Sequence, residues 1–313
     1  MEIENQSTRI TSFVLSGFSN NLPVNLFLFF VFFFIYVLTL LANIMIMIVT
    51  SHLPSPMYFF LAHLAFLDIC LSSVTVPKLL EIFNKRQTIS YSACFVQMFF
   101  ILLMGSSETC ILTAMAYDRF AAICKPLHYL QIMNKSFCRW LVGGALALAF
   151  SYASMNTFPA LKLDFCEKYF IRHFSCEFTS LLALSCTDTV SNLTLLLITS
   201  GIIAISSFTV ILFSYIRIIS TILKLKSLEA KRKTFSTCSA HFIVVALYYI
   251  TGCFRYMRPS SASSIIVDGL FSIQYSIFTP MLNPLIYSLK NREVKEAMKK
   301  LISKAFVSLF HIN

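Results

Sequence analysis

Seven long apolar stretches separated by short polar loops set the pattern of this chain. The first runs from Val24 to Val49 without a single Asp, Glu, Lys or Arg. At about 1.5 Å of rise per residue, a helix of that length crosses a hydrocarbon core of roughly 30 Å. The others fall near Met57–Phe83, Tyr91–Cys124, Phe137–Ala160, Leu193–Leu223, Lys233–Tyr256 and Ile265–Leu289. The pattern predicts an all-α integral membrane protein, a bundle of seven transmembrane helices with its two termini on opposite sides.

Charge gives the bundle a direction. The segments following spans one, three, five and seven, with the helix ends beside them, hold most of the 25 Lys and Arg but few of the 14 Asp and Glu. Basic residues close to spans stay in the cytoplasm, so Met1 is expected outside and Asn313 inside. The net charge of +11 is then a signal of topology, and no nucleic-acid partner is expected. With 57% hydrophobic and 12% charged residues the chain has too little polar surface for a soluble domain of this size. The first residues carry Glu2 and Glu4 and no basic stretch, so the first span is expected to serve as an uncleaved targeting signal.

Three Asn-x-Ser/Thr triplets, at Asn5, Asn134 and Asn192, test this orientation. Glycosylation occurs only on the lumenal side, so Asn5 is expected to carry a glycan. Asn134 faces the cytoplasm, and Asn192 is too close to the fifth span. Of the ten cysteines, Cys94, Cys166, Cys176 and Cys186 fall on the oxidising outer side; four cysteines allow three pairings, and spacing alone does not choose among them.

Two acids lie close to mid-membrane, where each is costly in hydrocarbon and marks a functional candidate. Asp68 stands eleven residues from Met57, about 16 Å deep, and Glu108 is eleven residues before Arg119, at a similar depth. Two carboxylates at one depth repel unless a proton or a cation sits between them. Asp68, Glu108, Asn43 and Asn283 are therefore a candidate sodium or proton site; no other cofactor is expected.

Four motifs carry a resemblance. They are Pro56-Met57-Tyr58-Phe59-Phe60-Leu61 followed by Leu67-Asp68; Met115-Ala116-Tyr117-Asp118-Arg119-Phe120 followed by Ala122-Ile123-Cys124-Lys125-Pro126-Leu127; Lys233-Thr234-Phe235-Ser236-Thr237-Cys238 with His241; and Pro280-Met281-Leu282-Asn283-Pro284-Leu285-Ile286-Tyr287. In this order and in these spans, the chain resembles the odorant receptor family of class A (rhodopsin-like) G-protein-coupled receptors over essentially its whole length. It departs from the pattern at Ala42, Phe120, Thr234 and Ala240, each a matter of one methyl, hydroxyl or hydrogen.

The resemblance implies an extracellular segment over residues 1–23, a seven-span receptor domain over 24–289, and a cytoplasmic amphipathic helix and tail over 290–313. In that last segment Val294, Met298, Leu301 and Ala305 share one face and Lys295, Lys299 and Lys300 lie largely off it, as on a helix resting against the inner leaflet. It implies bridges Cys94–Cys176 and Cys166–Cys186. It also implies a switch in which Arg119, held by Asp118, is released as the sixth helix swings outward, with Tyr215, His241, Asn283, Pro284 and Tyr287 rearranging around it. The ligand is expected in the outer half of the bundle. Its wall would be Ile101, Leu102, Gly105, Ser106 and Thr109 of span three, Thr199 and Ile203 of span five, Tyr249, Gly252, Cys253 and Tyr256 of span six, and Ile273 and Ser276 of span seven. A mostly apolar wall with scattered hydroxyls suits a small volatile odorant. An amine would need a carboxylate near Ile101, and none is there.

The implied function is an odorant receptor of the plasma membrane, in the cilia of olfactory sensory neurons, that activates a stimulatory heterotrimeric G protein and raises cyclic AMP. The alternative is a class A receptor for a non-odorant small molecule outside the olfactory epithelium. A transporter would favour paired repeats and a membrane enzyme a nucleophile–base constellation; the chain presents neither, and it is not expected to be an enzyme.

Overall fold

The computed structural model describes residues 11–17, 21–166, 168–256, 265–291, 293–300 and 303. Long helices dominate it: α1 (Leu22–Ser51), α2 (Pro56–Phe83), α3 (Tyr91–Cys124), α4 (Lys135–Ala160), α5 (Val190–Lys224) and α6 (Leu228–Tyr256). The last, α7, is built of three joined pieces: Ile265–Ile273, a π-turn over Gln274–Phe278, and Thr279–Lys290. Local chemistry starts several of them. Pro23 and Pro56 sit in the first turns of α1 and α2, where a missing N–H costs nothing. Ser90 accepts the Ala93 N–H to cap α3, and Asn134 accepts the Phe137 N–H at 2.9 Å to cap α4.

Among the described residues five helices, α1 to α5, are long and apolar enough to cross a membrane, and α6 adds a shorter apolar run over Cys238–Thr251. Hydropathy and burial part company among them. The apolar windows of α1 and α5 have mean hydropathies of 2.6 and 2.3 yet are only 17% buried, whereas those of α2 and α3 are 56% buried. Phe27, Phe34, Ile202 and Ile205 point outward. In water these would be adhesive patches; against acyl chains they are ordinary. α3 is the central post, packed against α2, α4 and α5. Several Ser and Thr hydroxyls inside the bundle are satisfied by carbonyls one turn back, among them Thr39, Thr50, Ser72 and Thr75.

The bundle has two cores. An inner one gathers Leu64, Ile111, Met115, Ile218, Val244 and Tyr287. An outer one gathers Val76, Leu79, Met98, Phe174, Leu196 and Ile277 around the bridged cysteines. The disulfides are Cys94–Cys176 and Cys166–Cys186, the pairing that the family resemblance implied.

The outer end also carries a small sheet that the apolar pattern did not foretell. β1 (Ser12–Leu15) lies between β2 (Thr88–Ser90), antiparallel, and β3 (Phe170–Ile171), parallel, with Phe13 opposite Ile89 and Val14 opposite Phe170. Its alternation decides the register: Phe13 and Leu15 are fully buried while Ser12 faces out. The segment before the first span is thus partly built into the fold. Two further short helices, Tyr129–Ile132 and Phe178–Leu184, lie in the loops. Residues 293–300 are helical, and Val294 is fully buried in the inner core with Ala297 and Met298 against it. That part of the amphipathic face packs on protein.

Candidate functional site

At the inner end of α3 the Arg119 guanidinium grips its neighbour. Nε and Nη2 both donate to Asp118 Oδ2, the first at 3.0 Å. The other carboxylate oxygen accepts the Tyr129 hydroxyl at 2.7 Å. Burial, and after it the Asp118 carboxylate alongside, raise the pKa of Tyr129 above that of an ordinary phenol, so the group stays a donor. Asp118 is fully buried and Arg119 nearly so. An ion pair exposed to solvent contributes little, but one enclosed like this holds its side chains in a single arrangement. Tyr129 was not among the residues singled out in the sequence.

Across the bundle, Tyr215 of α5 and His241 of α6 stack at 5.9 Å between centroids and are 2.7 Å apart at Tyr215 Oη and His241 Nδ1. His241 Nε2 lies 3.0 Å from the Leu112 carbonyl. A carbonyl only accepts, so Nε2 carries the proton, Nδ1 is the acceptor, and Tyr215 donates. Helices α3, α5 and α6 are thereby tied through one imidazole. Tyr287 is buried, and its hydroxyl has no hydrogen-bond partner among the described residues. Tyr58 donates to Glu293 at 2.6 Å, joining the start of α2 to residues 293–300.

Deeper in, Asn283 donates to both oxygens of Asp68 at 3.1 Å. Glu108 lies within hydrogen-bonding reach of Asp68, and its Oε1 has no partner among the described residues. Asn43 spends its amide on the Thr39 and Pro280 carbonyls, 2.9 Å each, and its buried oxygen is likewise without a partner there. Of the four residues named as a candidate sodium or proton site, Glu108 and Asn43 therefore each have a buried oxygen without a partner among the described residues, while Asn283 turns its amide N–H toward Asp68. Among the described residues no group of three or more His, Cys, Asp or Glu is arranged to hold a metal.

In the outer half, Gly105, Ser106 and Thr109 are buried on α3 while Ile101 and Leu102 are half-buried. Ser106 and Thr109 donate to carbonyls of their own helix. Thr199 of α5 is engaged by Asn156 of α4 at 3.2 Å, and Ile203 is half-buried. Tyr249 meets Phe208 at 5.5 Å, and Ile273 and Ser276 are buried on α7. The surroundings of Gly252 and the side chains of Cys253 and Tyr256 lie outside what the structure describes, as does Asn5.

A loop closes this half from above. Gln97 of α3 takes the Cys176 N–H at 2.9 Å and donates to the Val74 carbonyl at 2.8 Å, seating the bridged loop on α2 and α3. His173, buried in that loop, reaches Ser272 of α7 at 3.1 Å and Ser175 at 3.1 Å, with Glu177 at 3.8 Å. Gln97 and His173 were both missed in the sequence, since a polar residue at a span's outer end or in a long outer loop carries no distinctive pattern.

Comparison with known proteins adds a separate line. A family model described as olfactory receptor matches residues 32–305. Human olfactory receptor 8S1 is 47% identical over 94% of this chain and 82% of its own length. Human olfactory receptor 5AN1 is 43% identical over 94% of this chain and 96% of itself. Mouse olfactory receptor 8G50 is 42% identical, each protein being covered end to end.

Proposed function

The chain belongs to the olfactory receptor family, and from that premise we propose that it spans the membrane seven times, binds a small apolar odorant in the outer half of the bundle and activates a stimulatory heterotrimeric G protein, raising cyclic AMP. A receptor of this kind is no enzyme: its output is a change of shape. The observation that carries the coupling is the Arg119–Asp118–Tyr129 cluster, a buried cation held at the inner end of the central helix by partners it can leave. Beside it Leu127 and Leu130 are 92% and 73% exposed on the side assigned to the cytoplasm, next to a shallow depression lined by Cys124, Lys125 and Ile132. Exposed leucines beside a releasable arginine suit a partner protein better than solvent. Release requires α6 to move, and the Tyr215–His241–Leu112 chain is the tie that would have to break.

The outer half suits an odorant for a different reason. The Ser106, Thr109, Thr199 and Ser276 hydroxyls are tied to backbone carbonyls and the surface is otherwise largely aliphatic and aromatic, so binding energy would come from apolar burial with little polar discrimination. Asp68 and Glu108 would share a proton or hold a sodium ion with Asn43 and Asn283, keeping α2, α3 and α7 together in the resting state. The proposed location is the ciliary membrane of olfactory neurons. A cyclic-AMP reporter screen of chemically diverse volatiles, on cells with demonstrated surface receptor, tests the reading. A volatile that raises cyclic AMP in the wild type and not in Arg119→Ala at equal surface level supports it, and responses that are equal in the two receptors refute the coupling role.

A further inference from the structure

Gly105 is the one glycine of the 34-residue α3, and both α6 and α7 come to rest on it. A Cβ built at Gly105 would overlap the Tyr275 hydroxyl and lie 3.0 Å from Tyr275 Cζ. The tyrosine thus fills a notch that any larger residue would close. From α6, Tyr248 donates to the Gly105 carbonyl at 3.1 Å and lies 2.6 Å from Thr109 Oγ1. The two rings meet edge to face, centroids 6.2 Å apart at 65°. Tyr248 also meets Tyr249, and Tyr249 meets Phe208 of α5, so an aromatic chain crosses the bundle at this level.

The backbone that carries Tyr275 is itself unusual. It belongs to the π-turn Gln274–Phe278, a turn with one residue more than an α-turn, inserted above the half of α7 that holds Asn283 and Tyr287. Such turns recur at functional sites because the extra residue can be passed along the helix. Passing it re-aims each side chain it crosses by about 100°, the rotation of one residue. Thr279 Oγ1 donates to the Gln274 carbonyl at 3.0 Å and holds the turn where it is.

We propose that Tyr275 and Tyr248 sense the occupied pocket: a ligand settling against Gly105 moves Tyr275 out of its notch and Tyr248 off the Gly105 carbonyl, freeing α7 and α6 from α3 together. The inference rests on the reading that this face of α3 lines the odorant site. It explains why α3 carries a glycine in the middle of a buried face, where alanine is the better helix former. It also places the first movement directly above the Asp68–Asn283 contact and the Tyr215–His241 tie, on the two helices that must move.

The test needs no ligand, because Gly105→Ala puts a methyl group where Tyr275 sits. Two readouts are taken at matched surface level: ligand-free cyclic AMP, and modification of Cys238 by N-ethylmaleimide, located by mass spectrometry. Cys238 is buried on α6 and Cys138 is equally buried on α4, so Cys138 serves as the reference for general loosening. Gly105→Ala should raise cyclic AMP severalfold and label Cys238 selectively. Adding Tyr275→Phe, which removes the overlapping oxygen, should return both near the wild-type level. Tyr248→Phe, a change of one hydroxyl, should raise both by itself and serves if Gly105→Ala fails to reach the surface. Unchanged Cys238 labelling in Gly105→Ala and Tyr248→Phe overturns the proposal, as does a double variant as active as Gly105→Ala alone. Labelling of both cysteines alike means a packing defect and also overturns it. Cys238 labelling requires no G protein, so a failure of the cyclic-AMP reading leaves it decisive.

Discussion

Arg119 is bound to a carboxylate one residue behind it and is nearly fully buried, so its release exposes a buried cation toward the inner face. Arg119→Ala should therefore abolish odorant-evoked cyclic AMP while surface level, read by antibody against an N-terminal tag, stays close to wild type; a normal response would remove the switch role. The paired acids make a separate prediction. Two ionised carboxylates cannot share a buried site uncompensated, and Glu108→Gln removes one charge while keeping volume and hydrogen bonding. Basal output and the sodium and pH dependence of the response should change in Glu108→Gln and in Asp68→Asn. Superimposable curves for wild type and both variants would make the pair purely structural. The sequence made these residues legible because an acid in an apolar run is conspicuous. Tyr129, Tyr248 and Tyr275 were not, since a tyrosine in a tyrosine- and phenylalanine-rich chain stands out only once its neighbour across the bundle is known.

Among elements, the long helices could be read off the chain to within about five residues at each end, because a long apolar run in a membrane leaves the backbone no other way to satisfy itself. The π-turn could not: it alters the periodicity over five residues only, inside a segment apolar on most sides. Nor could the sheet, whose central strand is four residues long and finds its partners 74 and more residues away by the register Val14↔Thr88 and Val14↔Phe170. Its importance is testable. Val14 N donates to the Tyr169 carbonyl at 2.7 Å, and proline has no such donor and does not sit in a central strand. Val14→Pro should reduce surface delivery sharply, measured by flow cytometry; wild-type delivery would show the sheet to be dispensable. The disulfides should differ in weight. Cys94–Cys176 joins α3 to the loop across 82 residues and is buried in the outer core, whereas Cys166–Cys186 closes 20 residues within the loop. Losing a bridge typically costs about 2–4 kcal/mol, more for the longer closure. Cys94→Ser should thus impair surface delivery more than Cys166→Ser does, and the reverse order would contradict the core role of the first bridge.

For the whole molecule, the apolar outer faces of α1 and α5 make sense only if the solvent around the bundle is lipid, and orientation within that lipid rests on where the basic residues fall. A glycan reports it directly. Asn5→Gln should raise gel mobility by one glycan and Asn134→Gln should leave it unchanged; a glycan on Asn134 would invert the topology. The sheet has a last consequence, which concerns time. Phe170, which faces Val14 of β1, is synthesised 156 residues after it. At roughly 5–20 residues per second, that interval is about 8–30 seconds. For that long the sheet that seats Phe13 and Leu15 lacks its parallel strand, and the part of their core contributed by Ile171 and Phe174 does not yet exist. Every nascent copy passes through this wait, so the yield of finished protein is expected to depend on the speed of translation and on what covers two hydrophobic side chains in the meantime.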